Sequence, residues 1–341
     1  MNQLQRYQLL EDWVKSQFPT RSFLLSPASV DASFRRYFRV EFSDQSAPKT
    51  LIVMDAPPEH EDCVSFLYVA NIFSAANVHV PEILAKDLRQ GFLLLSDLGS
   101  TTYLESIGVN SSVADDLYHD AIDALIRIQS ASCTGELPEY DEKLLLKELN
   151  LFPDWYLEKH LKVALNTSQK EELNNCFTKI IDNNLAQPRV YVHRDFHSRN
   201  LMVTSPNPGI IDFQDAVYGP ITYDLVSLLK DAYIYWNEEK ILDWVIRYWE
   251  KSRKKGLPVA GNFSDFYRDF EWMGVQRHIK ILGIFARLCY RDGKNNYLKD
   301  MPVVINYLKK TCDRYRELNF LLELLEELEG KEQKTEIGHE S

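Results

Sequence analysis

The sequence predicts an α+β chain with a small antiparallel-sheet N-lobe and a larger, mainly helical C-lobe. Three observations predict it. Short β-rich runs crowd residues 37–96, and helix-period runs fill most of the chain after Gly99. Between helical runs, the stretch "YVHRDFHSRNLMV" at 191–203 sets polar groups between two apolar flanks where a buried strand should run on. A chain of 341 residues is long enough for two units with a core each.

Residues 1–95 are expected to form the N-lobe. "YFRVEF" and "TLIVMDA" read as strands, and the turn-forming "SDQSAPK" between them makes a hairpin. Pro57 and Pro58 end the second strand, because neither can donate to a sheet. Val64, Leu67, Tyr68 and Ile72 then recur at helical spacing. "VHVPEIL" and "GFLLLSDLG" follow, the latter with the unbroken apolar run of a buried strand. Residues 96–100 read as a hinge. The C-lobe, 101–330, is a series of helical patterns interrupted by two short strands, "NLMVT" and "GIIDF", on either side of the turn "SPNPG". Residues 331–341 read as a frayed tail.

Bulk properties exclude several classes. Hydrophobic residues at 45% and charged residues at 26% describe a globular chain, not a disordered one. There is no apolar run of roughly 18 residues and no signal-peptide pattern at the start, so a cytoplasmic protein without a membrane partner is expected. A net charge of −11 argues against a nucleic-acid partner. Residues 317–341 hold eight Glu and two Lys, so much of that charge belongs to a solvated terminus. The five cysteines form no CxxC pair and read as free thiols. No HExxH or Cys/His spacing suited to zinc occurs.

The chemistry concentrates in "HRDFHSRN" and "IIDF". Asp195 and Asn200 are five residues apart, the spacing of the kinase catalytic loop H-R-D-x-x-x-x-N, and Asp212 ends a short strand twelve residues after Asn200. Phosphoryl transfer needs positioning and charge neutralisation more than covalent help. One carboxylate must face the acceptor hydroxyl. A second, with an amide oxygen, must hold Mg²⁺ against the phosphates.

"VHRDFHSRNL", then "GIIDFQDA" and "YDLVSLL", resemble the aminoglycoside phosphotransferase-like kinases, the superfamily that includes choline kinases, over nearly the whole chain. That resemblance implies a bilobal protein-kinase-like fold, with ATP as co-substrate and Mg²⁺ as cofactor. It implies Asp195 as the base, Asn200 and Asp212 as metal ligands, and His193 and His197 as loop support. Asp224 would pin the catalytic loop; alternatively it is a first-turn acid behind an N-cap at Thr222. Main-chain groups of Ser96 and Leu98 would meet adenine. Within the superfamily, "VMDAPPE", "VHVPEILAKD", "ELNLFPDWYL" and "GVQRHIKILGIFARL" are similar to the bacterial anomeric sugar kinases. Those phosphorylate the C1 hydroxyl of N-acetylmuramate and N-acetylglucosamine in peptidoglycan recycling.

The pattern is broken in two places. Met54 or Asp55 stands where protein kinases carry the phosphate-binding lysine, and no glycine-rich loop precedes "YFRV". Arg35, Arg36 and Arg39 are expected to hold the phosphates instead, their alternative being solvated surface cations. Gln214 replaces the glycine of D-F-G, so no movable switch is expected there. For the acceptor, Glu148, Asn150, Arg277 and His278 are candidates, with Trp155 and Trp272 as stacking platforms; each also reads as helix surface or core packing. An aminoglycoside or choline acceptor, and a pseudokinase that binds nucleotide without turnover, are the competing functions. The expected partners are a small amino sugar and ATP, with the chain a monomer.

Overall fold

Alternating apolar and polar residues in the first hundred positions build one antiparallel sheet. The computed structural model describes residues 3–29, 34–44 and 46–337. After α1 (Gln3–Gln17) come β1 (Phe23–Ser29), β2 (Arg36–Phe42), β3 (Thr50–Asp55), α2 (Cys63–Ala75), β4 (Ile83–Asp87) and β5 (Phe92–Ser96), in the sheet order β1-β2-β3-β5-β4. The expected hairpin is β2–β3, with Arg36 opposite Asp55 and Val40 opposite Leu51. Phe38, Val40 and Phe42 share one face of β2 because side chains alternate along a strand. They pack with Leu10, Trp13 and Val14 of α1. In α2 the buried stripe is Cys63, Phe66, Val69, Ala70 and Phe73, while Val64 and Tyr68, taken above as part of its apolar face, are exposed.

Next follow α3 (Tyr103–Val109), α4 (Ala114–Ser130), α5 (Glu142–Leu149), a π-helical turn (Phe152–His160) and α6 (Thr167–Ala186). Four short strands come next: β6 (Arg189–Val192), β7 (Leu201–Met202), β8 (Gly209–Ile210) and β9 (Val217–Pro220). β6 pairs with β9 and β7 with β8, both antiparallel. The remainder is helical: α7 (Tyr223–Leu229), α8 (Glu238–Lys254), α9 (Phe263–Asp292), α10 (Met301–Arg314) and α11 (Asn319–Ile337). The helical backbone of α11 extends into the segment expected to fray; residues 338–341 lie outside the described residues. No helix among the described residues is long and apolar enough to cross a membrane.

Two compact units result: Met1–Ile128 with Arg199–Asp215, and Gln129–Ser198 with Ala216–Ser341. Their division falls inside α4, not at 96–100, and the β7–β8 hairpin groups with the sheet. The reason is pairing within the first unit: Thr102 bridges Met202, His79 bridges Gly209, and Val203 N–H donates to Thr101 O at 2.9 Å. Gly209 is required by this close approach, since a Cβ there would lie 2.8 Å from Thr204 Cγ2 and 3.2 Å from Met202 Cβ.

Candidate active site

The loop 193–198 leaves β6 and is held at both ends by carboxylates bracketing α7. Asp224 accepts the His193 N–H at 2.6 Å and the Arg194 N–H at 3.0 Å. Asp231 accepts the Ser198 N–H at 3.1 Å and its hydroxyl at 2.5 Å. His193 is fully buried, and its Nδ1 accepts the Asp195 N–H at 3.2 Å, so the ring closes the turn as loop support. His197 packs its ring edge against Tyr233 at 5.5 Å. Thr222 stands at the N-cap of α7 without a side-chain capping bond, its hydroxyl donating to Gln187 Oε1 at 2.7 Å, and Asp224 is an acid of the first turn whose carboxylate also accepts from the loop. Burial pushes the Asp224 carboxyl up to about 7, against the pull of the two amides.

Asp195 keeps 43% of its side chain exposed, and Arg277 Nη1 stands 4.0 Å from its Oδ1. Burial would raise its pKa, but the cations Lys280, His197, Arg277 and Arg194 prevail and hold it at about 2. The group is therefore ionised at neutral pH.

In the first unit, Asn200 and Asp212 meet at the β7–β8 hairpin, with Asn200 Nδ2 donating to Asp212 Oδ2 at 3.2 Å. Gln214 Nε2 donates to Asp212 Oδ1 at 2.8 Å. Asp212 is left-handed, φ 65°, a conformation that Asp tolerates better than bulky residues and that clusters at functional sites. Phe213 anchors this strained turn: it is fully buried and packs on Phe66 and Phe73 of α2 at ring distances of 4.9 and 5.8 Å. A carboxylate beside an amide is a hard-oxygen donor set. Among the described residues no group of three His, Cys, Asp or Glu could hold a metal. Two oxygen donors of this kind suit a magnesium ion, whose remaining ligands would be other oxygens.

The other expected residues separate. Arg36 donates to Asp55 through Nε at 3.1 Å and Nη2 at 2.5 Å, and Arg6 Nε reaches the same carboxylate at 2.8 Å. Arg39 forks onto Asp97 at 2.7 and 3.2 Å, and Arg35 pairs with Glu61 at 2.8 Å. None of the three is the free surface cation that the alternative reading supposed. Asp55, at the expected lysine position, is wholly buried, so this strand carries the opposite charge to a protein kinase's. Ser96 N–H and hydroxyl both engage Glu82, at 2.9 and 2.8 Å, and Leu98 is buried.

Among the acceptor candidates, Glu148, Arg277 and His278 are buried. Glu148 is buried against Arg194 and Lys280, and His278 is fully buried, its Nε2 on Lys230 O at 3.1 Å and its ring stacked on Tyr307. Both are enclosed by their own unit. Trp272 is likewise core, against Arg268 and Tyr315. Asn150 is exposed at the end of α5, Trp155 is half-buried, and Arg277 stands beside Asp195. The sequence reading missed Lys280, Tyr223 and Asp231, whose only local signal is a polar residue inside an apolar helical run.

Residues 25–258 match the model of the phosphotransferase enzyme family. The chain is 49% identical to the N-acetylmuramate/N-acetylglucosamine kinase of Neisseria meningitidis serogroup B, covering 97% of this chain and 98% of the relative. It is 48% identical to the N-acetylmuramate/N-acetylglucosamine kinase of Pseudomonas aeruginosa, covering 95% and 97%. The choline kinase LicA from Streptococcus pneumoniae has the same fold at 11% identity, with a TM-score of 0.60 over 89% of this chain and 99% of that one. An aspartate loop, an oxygen-donor pair one hairpin further on and a five-stranded sheet thus come with a family match over most of the chain, and the chain belongs to the phosphotransferase enzyme family.

Proposed function

We propose that the protein is an ATP-dependent kinase that phosphorylates the anomeric hydroxyl of N-acetylmuramate, N-acetylglucosamine or both, in the cytoplasm, during peptidoglycan recycling. The observation that carries this reading is the near-complete overlap with two kinases named for those sugars, together with an unbroken Asp195–Asn200–Asp212 set. In the proposed step the ionised Asp195 orients the hydroxyl and takes its proton. The sugar oxygen bonds to the γ-phosphorus as the bond to the bridging oxygen breaks, releasing ADP. Asn200 and Asp212 would hold Mg²⁺, which when bound neutralises phosphate charge. Leu98 main-chain groups, and the Ser96 carbonyl rather than its engaged N–H, would meet adenine. Arg35, Arg36 and Arg39 would reach phosphate only from within their carboxylate pairs. Asn150 and Arg277 remain the sugar contacts, with Arg277 suited to a carboxylate.

An aminoglycoside or choline acceptor would call for open carboxylates. The buried Glu148, Asp224, Asp231 and Glu271 of the second unit are instead engaged by cations, amides and hydroxyls. A coupled ADP-release assay across both amino sugars, aminoglycosides and choline tests the reading. Turnover with an amino sugar is expected, with the phosphorus NMR signal of a sugar 1-phosphate. Turnover confined to antibiotics or choline, or none with any acceptor, would overturn it.

A further inference from the structure

Arg194, the residue before the proposed base, is held through its backbone N–H, its carbonyl and one guanidinium nitrogen. Its backbone is left-handed at φ 78°, which an arginine does not adopt without compensation. Its N–H donates to Asp224 at 3.0 Å, and its carbonyl accepts from Arg277 Nη1 at 3.0 Å. Its guanidinium donates through Nη2 to Glu148 Oε1 at 2.5 Å. Glu148 is itself locked. Lys280 Nζ is 3.0 Å from the same oxygen, and Tyr140 OH donates to Oε2. Lys280 also donates to Tyr223 OH at 2.9 Å, and Tyr223 packs edge-on against Tyr140 at 5.3 Å. Both tyrosines are fully buried, and Glu148 is 5% exposed. So one carboxylate faces two cations in a site shielded from water, where such contacts are strong and their loss is felt. Burial opposes ionisation of Glu148, but Lys280 and Arg194 hold its carboxyl below the usual range.

In protein kinases an activation loop is ordered by phosphorylation, through new pairs between arginine and phosphate. Here the arginine next to the base already has a buried anion.

We propose that Glu148 is a positioning residue for phosphoryl transfer: a built-in counter-anion that holds Arg194, and through it the left-handed turn that aims Asp195. The loop is then permanently set, with no modification needed to order it. The inference rests on Asp195 acting as the acceptor-facing base.

The test uses the full chain with ATP and N-acetylmuramate, comparing E148Q, E148D and R194M with D195N. E148Q should lower kcat by about 10- to 100-fold, since displacing a reacting group by about 1 Å has that effect, with both KM values within about threefold. E148D should recover part of the loss, and E148Q should add nothing in the D195N background. R194M keeps the Lys280–Glu148 pair, so it should fold even if E148Q does not, and should show the same kcat loss. A fall in melting temperature with kcat unchanged in E148Q or R194M would overturn the proposal, as would a full additive loss on top of D195N. Full turnover by D195N alone would instead sink the base assignment, and this inference with it.

Discussion

Asp55 and Asp195 are both carboxylates among arginines, and they are treated in opposite ways. In the N-terminal sheet Asp55 is wholly buried and closed on itself by Arg6 and Arg36, as Arg39 and Asp97 are closed on each other. Around loop 193–198 the charged groups close on the backbone and on Arg194, and Asp195 stays 43% exposed with Arg277 no nearer than 4.0 Å. The contrast separates two uses of charge in one chain. A structural carboxylate has its lone pairs filled by donors. Asp195 instead keeps much of its side chain exposed, on a loop whose backbone is held by Asp224 and Arg277.

Three substitutions would break or sharpen that contrast. The largest effect is expected from Asp195→Asn: kcat should fall by roughly 10²- to 10⁴-fold, the range for a positioned proton acceptor, while the urea midpoint barely moves. A large loss of stability instead would make Asp195 another structural carboxylate. Asp55→Asn should do the reverse. It strands Arg6 and Arg36 and should lower unfolding free energy by about 3–5 kcal/mol in urea titration. The KM for ATP of the folded fraction then reads whether Arg36 does more than hold Asp55. The smallest effect is pH-dependent. Burial holds His278 neutral, down at about 3 against an ordinary 6.5, so the unfolded chain binds the proton that the folded chain refuses. The stability it gives is full above pH 6.5 and is lost as pH falls toward 3. The stability difference between wild type and His278→Asn should therefore shrink on acidification by at most about 1.4 kcal/mol per pH unit. A difference that stays flat from pH 7 to 4 would mean that His278 titrates normally and is not enclosed.

Much of this was legible from local pattern. The hairpin β2–β3 follows from alternation with a turn between, and the polar loop 193–198 after a short strand follows from "YVHRDFHSRNLMV". What local pattern could not supply was phase and partner. In α2 the apolar positions were read one residue out of step at Val64 and Tyr68, and a single residue on a helix is a rotation of about 100°. Arg36 and Glu148 look like surface charges in sequence because their partners, Asp55, Arg194 and Lys280, come from other elements. His278 looks like a ligand for the same reason: nothing near it in the chain announces that Tyr307 will cover its ring.

The short helix α7 works as a caliper. Asp224, in the first turn of α7, and Asp231, two residues past its end, reach the two ends of one six-residue loop, so the helix and the turn after it set the span between their grips. That makes length, more than composition, the quantity that evolution or an engineer is not free to alter there. Apolar side chains along α7 can be exchanged for others of equal bulk, but one residue added or removed would swing the second jaw off its mark.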